Sequence, residues 1–275
     1  MRPSSLLLVV TLVAHSIAAF KAASGRGNGF FRDLKLALSS TLAPETTKYA
    51  SRDAAAFTVD IKSVIDNGPI PAADRKFLIN GWRWHTASAL RDLARYADVL
   101  DHVATSCSSG SSGSNSNDQA YKERVTQCYS FVIDFNLRAL LRVESDLFFP
   151  WLRRLLPPTA APLMEELTQE QNDVRALSAQ IEQLCGTLAA PAGTPLDDVA
   201  TLRKIEAKVG QIQKTYRKIQ NVQETVFVPY IGAFISRKEQ ERFNRKVIGA
   251  LGMLQAQVHL VGMIEAIKDQ VGPPD

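Results

Sequence analysis

The feature that most constrains this chain is a spacing. From about residue 76 onward, apolar side chains recur at steps of three and four, with no competing strand-like alternation. That is the period of a helix with one face turned inward. In GWRWHTASALRDLARYADVLDHV the stripe is Trp82, His85, Ala89, Leu93, Tyr96, Leu100 and Val103. A second stretch, about 120–149, carries Ile133, Leu137, Leu140, Glu144 and Leu147 on one face. A third, about 163–185, carries Leu167, Gln171, Val174, Leu177, Ile181 and Leu184. A fourth, about 197–228, carries Leu202, Ile205, Val209, Ile212, Tyr216, Ile219, Gln223 and Val226.

Breakers separate the four. SSGSSGSNSND is a polar loop, while PWLRRLLPPTAAP and APAGTPLDD hold prolines that stop helices and bias the preceding residue away from helix. Long amphipathic helices with narrow stripes and connecting loops predict an all-α fold, an antiparallel up-down four-helix bundle. An additional C-terminal helix begins at SRKE (236–239), where Ser236 and Glu239 form a capping-box pattern, and runs to about Val271. Its segment from Val247 to Ile267 has one formal charge, Glu265, but is interrupted by Gln255, Gln257 and His259. The length would allow a membrane span, and the polarity argues instead for packing on the bundle or on a partner.

Charge is uneven along the chain. Residues 1–53 hold seven bases (Arg2, Lys21, Arg26, Arg32, Lys35, Lys48, Arg52) and three acids (Asp33, Glu45, Asp53), a balance of +4 that equals the whole-chain value. Residues 54–275 are therefore neutral, and no nucleic-acid surface is implied. The basic clusters LRRLL and ISRKEQERFNRK mix with acids and read as solvated helix faces.

Arg2, the apolar run LLLVVTLVA and the small residues of HSIAAF read as a secretory leader over 1–19, cut after Ala18 or Ala19. The acid-poor FKAASGRGNGFFR that follows opens an N-terminal extension over 20–75 and resembles the two-part leader of plastid proteins in algae with secondary plastids. Secretion and plastid import both stand. The bundle is expected over 76–250, with a C-terminal helix and tail over 251–275. Of three cysteines, Cys107 and Cys128 flank the polar loop and either pair in an oxidising compartment or pack unpaired; Cys185 reads as a buried thiol.

A carboxylate on an oily stripe is the unusual element. LLRVESDLFFPWL places Glu144 six residues before Pro150, and QNVQETVFVPYI places Gln223 six before Pro229. Together with GWRWHTASALRDL, LxxEQxxVxxL (167–177) and FISRKEQERFNRKV, these segments resemble the hemerythrin-like, or HHE, family across roughly 76–250. The resemblance implies a four-helix bundle holding two irons, with histidine and carboxylate ligands spaced four apart on one helix face.

Carried over residue by residue, His85 stands at the first-helix ligand position and Glu144 at the second-helix carboxylate. The remaining positions are altered: Leu140 and Ile219 stand where histidines belong, Gln171 where the third-helix histidine belongs, and Gln223 where the fourth-helix acid belongs. Glu224 is one step away. The family site uses five histidines, while this chain has four, His15, His85, His102 and His259. His15 leaves with the leader and His102 lies about 100° around the helix from His85. There is no HxxxE, ExxH or HExxH.

The expectation is a former metal cavity turned into packed core with a small polar network around Glu144. A buried carboxylate must be paired, hydrogen-bonded or protonated. Candidate partners are His85, Gln171 and Gln223; the plainer alternative swings Glu144 to the bundle end, toward Arg142 and Arg153. No nucleophile elbow, phosphate loop or Cys–His spacing points to an enzyme. The reading is a hemerythrin-like protein without a functional di-iron centre, no cofactor, and a structural or interaction role toward a protein partner or a second copy. The alternative is a non-haem iron, metal or oxygen binder with an altered site of His85, Glu144 and Glu224.

Overall fold

The structure, a computed structural model, describes residues 62–108, 115–189 and 195–271. The leader predicted over 1–19 and most of the extension predicted over 20–75 lie outside the described residues. Among those described, the regular elements are all helical. Helix α1 is Asn80–Ser108. Helix α2 runs through Asn115–Tyr129, a wide turn at Ser130–Leu137, then Arg138–Val143, a second wide turn at Glu144–Phe148, and Phe149–Arg153. Helix α3 is Ala161–Ala189, and α4 runs through Pro195–Val222, a wide turn at Gln223–Phe227, and Val228–Phe234. Two more helices follow, α5 (Arg237–Leu251) and α6 (Met253–Val271).

Helix α4 lies along both α1 and α3, α2 touches α1 and α3, and α6 packs on α1. The stripe predicted for α4 is buried at every position from Leu202 to Val226. On α3 the inward row is Leu167, Gln171, Val174, Ser178, Ile181, Cys185 and Leu188, whereas Leu177 and Leu184 are half-buried. The strict alternation of three and four keeps a narrow seam facing its neighbours, so it selects small Ser178 and Cys185 over the leucines beside them. Ser178 loses little by burial, because its hydroxyl donates to the Val174 carbonyl at 2.8 Å.

Pro150 does not end α2, which continues to Arg153. A proline inside a helix lacks an N–H and its ring crowds the carbonyl four residues back. Here the strain is met by opening the turn before it: the Phe149 N–H reaches back five residues to Glu144 O. Before Pro229 the Val228 N–H does the same to Gln223 O. Wide turns of this kind often mark sites of interest. They also shift the inward register, so Phe148 and Phe227 are fully buried while Leu147 is only half-buried.

The predicted single helix from Ser236 to Val271 is two helices. Gly252 adopts φ +76° between them, a conformation that side chains with a Cβ avoid, and α6 turns back to lie on α1. The Ser236 hydroxyl caps α5 by accepting from the Glu239 N–H. No single described helix is long and apolar enough to cross a membrane. The entry segment is tied down as well. Gln240 accepts from the Leu78 N–H at 2.8 Å and donates to Lys76 O, Asn244 donates to Leu78 O, and Phe243 stacks on Trp151 at 4.4 Å.

Candidate functional site

Glu144 is fully buried where the four long helices meet. It accepts three hydrogen bonds, one from each of the other three helices. Trp82 Nε1 on α1 donates to Oε1 at 3.1 Å, Gln223 Nε2 on α4 donates to Oε1 at 2.7 Å, and Gln171 Nε2 on α3 donates to Oε2 at 2.7 Å. The Tyr216 hydroxyl faces the same carboxylate without reaching hydrogen-bond geometry. Burial pushes the Glu144 carboxyl above the usual carboxylate range, and the donated hydrogen bonds oppose that push.

Local sequence explains the convergence. Glu144 and Gln223 each open a wide turn six residues before a proline, which puts them at matching heights on α2 and α4. Phe148, four residues on, stacks on the Trp82 indole at 4.4 Å and meets Phe227 edge-on, so the indole N–H is aimed by an aromatic wall. Leu140 and Ile219, one turn earlier on the same two helices, are both fully buried. They fill the volume beside the carboxylate with hydrocarbon.

Of the predicted partners of Glu144, the two glutamines are present and His85 is not. His85 sits in a second buried cluster facing α6. Its Nε2 donates to Asn136 Oδ1 at 2.9 Å, Asn136 Nδ2 donates to Asp92 Oδ2 at 2.8 Å, and Arg91 holds the other Asp92 oxygen. The His259 ring stands 4.3 Å from that of His85, with Phe135 stacked on it at 4.7 Å. Burial and the neighbouring imidazole bring His85 down to about 3; burial and Arg142 bring His259 down to about 4. Both imidazoles are neutral at neutral pH.

Glu224 lies apart from both clusters. It binds Arg83 through Nε at 2.7 Å and Nη2 at 2.5 Å, and the guanidinium also covers Phe77. His85, Glu144 and Glu224 do not share one cluster: register sends them to three different surroundings. The bundle-end alternative for Glu144 is likewise set aside, since Arg142 contacts Gln255 and Arg153 contacts Thr168. Among the described residues no three His, Cys, Asp or Glu side chains gather as a metal-holding group. The surroundings of Glu144 do not fit an iron pair either: both oxygens face N–H donors, and the indole N–H has no lone pair to offer a cation.

Neither Cys107 nor Cys128 is in a disulfide. Cys128 lies near Tyr96, eleven residues before Cys107 on α1, so helical rise separates the two thiols by about 16 Å. No disulfide spans that distance. The partner of Glu144 that the sequence does not announce is Trp82; its place on the inward stripe three residues before His85 is the available signal. No family model, curated protein or solved structure matches this chain.

Proposed function

We propose that this chain is a hemerythrin-like up-and-down four-helix bundle whose centre is closed by a carboxylate clamp at the height where that family holds its irons. In this reading it is a structural or interaction module, not an enzyme, and it engages a protein partner or a second copy of itself. The observation that carries the reading is the triple donation to Glu144 from α1, α3 and α4. Such an arrangement pins the register of four helices against one another, and the carboxylate at its centre is fully buried. The leader places the mature protein in the secretory route or a plastid, which N-terminal sequencing of the native protein distinguishes.

Metal analysis of protein purified without chelator tests the functional reading. The expected result is sub-stoichiometric iron and a melting temperature unmoved by added ferrous iron. Stoichiometric iron that disappears in His85→Ala overturns the reading in favour of the altered iron-binding alternative.

A further inference from the structure

A groove of about 1030 Å³ runs along α2 between α3 and the start of α6. Half-buried Phe135 supplies the open part of the apolar wall, Leu141 being almost wholly buried; Arg138, Arg142, Arg175 and Gln255 supply its polar rim. Arg138 and Arg142 are one turn apart on one face, a like-charge spacing that a helix does not favour by itself. Arg175 reaches the same place from α3, because its Nη2 donates to the Leu141 carbonyl at 3.3 Å. Three guanidinium groups thus share one concavity.

Their charges are compensated unequally. Arg138 is committed to Asp134 and to Glu182, the latter at 2.8 Å. Arg142 has Gln255 at 3.2 Å, and Arg175 has Asn172 and the Leu141 carbonyl; among the described residues neither has an acidic partner. The remaining acid on the wall, Asp146, is turned to the Ser145 hydroxyl at 2.8 Å. Paired guanidinium forks without a counter-charge match a carboxylate or phosphate head. The volume is far larger than a bare ion needs and lies in the range of organic-ligand sites.

We propose that this groove binds an organic anion, a carboxylate or phosphate head held by Arg142 and Arg175 with an apolar body lying against Phe135. The site is distinct from the Glu144 clamp and does not depend on the reading given for it. Calorimetric titration of the full chain with octyl phosphate, octanoate, inorganic phosphate and octanol tests it. Octyl phosphate and octanoate should bind saturably, at one site, with inorganic phosphate and octanol each weaker. Arg142→Gln and Arg175→Gln should each weaken both amphiphiles by about tenfold or more, the loss of a charge-assisted contact. Arg154→Gln, outside the groove, should leave them unchanged. Absence of saturable binding, affinity indifferent to both arginine variants, or equal affinity for octanol or for inorganic phosphate overturns the proposal. Arg142→Lys, which keeps the charge and loses the fork, separates geometry from net charge and should also bind more weakly.

Discussion

Gln223 donates to Glu144 at 2.7 Å across the space between α4 and α2, and each residue begins a wide helical turn six positions ahead of a proline. The two helices therefore present their polar residues at one height because they carry the same irregularity. Trp82 and Gln171 complete the ring from α1 and α3.

Replacing the carboxylate should be costly. Glu144→Leu leaves the Trp82 indole and the Gln171 and Gln223 amides without their acceptor in a dry interior, an expected loss of about 3 kcal/mol or more. Glu144→Gln keeps the shape and one acceptor oxygen, so its loss should be smaller. Urea denaturation of the two variants beside the parent measures the difference, and equal stability of all three would refute a structural clamp.

Acid should weaken the fold through the histidines. Both have folded values near 3 and 4, below the ordinary 6.5, so the unfolded chain binds protons more readily. Their contribution is complete above pH 6.5 and is lost as pH falls toward 4, at roughly 1.4 kcal/mol per pH unit for each imidazole. Glu144 acts with the opposite sign: its raised value makes stability fall as pH rises above the ordinary carboxylate range. Melting curves from pH 7 to 4 should show a net decline, shallower in His259→Phe. In Glu144→Gln the decline toward acid should be steeper than in the parent.

Gly68 meets Ala233 closely. A Cβ at residue 68 would stand 2.7 Å from the Ala233 Cβ and 2.9 Å from its carbonyl oxygen, beside the Ile70 N–H to Ala233 O hydrogen bond. Gly68→Ala should cost about 1–3 kcal/mol as an overpacked contact and make residues 62–79 more sensitive to limited proteolysis. Unchanged cleavage would show that the entry segment is not held at this point.

The Arg83–Glu224 pair is only partly exposed, at 17% and 24% of side-chain surface. A double-mutant cycle through Arg83→Ala and Glu224→Ala should give a coupling of about 0.5–1 kcal/mol. Neither variant should alter iron content, which separates this ion pair from any metal-ligand role for Glu224.

Oxidation should not join Cys107 to Cys128. Mass spectrometry of protein treated with a mild oxidant and then alkylated should find no peptide linked through these two residues. A cross-link at high yield would require α1 and α2 to slide by several turns against each other.

Much of this molecule was legible from spacing. The four stripes located the four long helices, and the proline register placed Gln223 level with Glu144 before any contact was known. Gln171 was legible for the same reason, as a polar residue at a stripe position of α3. The break at Gly252 was not, because a glycine amid helix-forming neighbours carries no mark of its backbone angle. Trp82 is the buried core aromatic that its stripe position predicts; its donation to Glu144 was not legible, because an indole on an inward stripe packs equally well with or without an acceptor for its N–H.

By itself, the order of residues determined where the four long helices run and most of their inward faces, since helical periodicity is a property of local sequence. It also set the number of histidines at four, one fewer than the family that the sequence resembles uses for its irons. Only the tertiary structure decided which polar group met which. Rotating a helix by a single residue turns a side chain by about 100°, so His85 went to Asn136 and His259, Glu224 went to Arg83, and Glu144 was left to an indole and two amides. Those choices depend on how helices far apart in the chain settle against one another, and no local pattern encodes that angle.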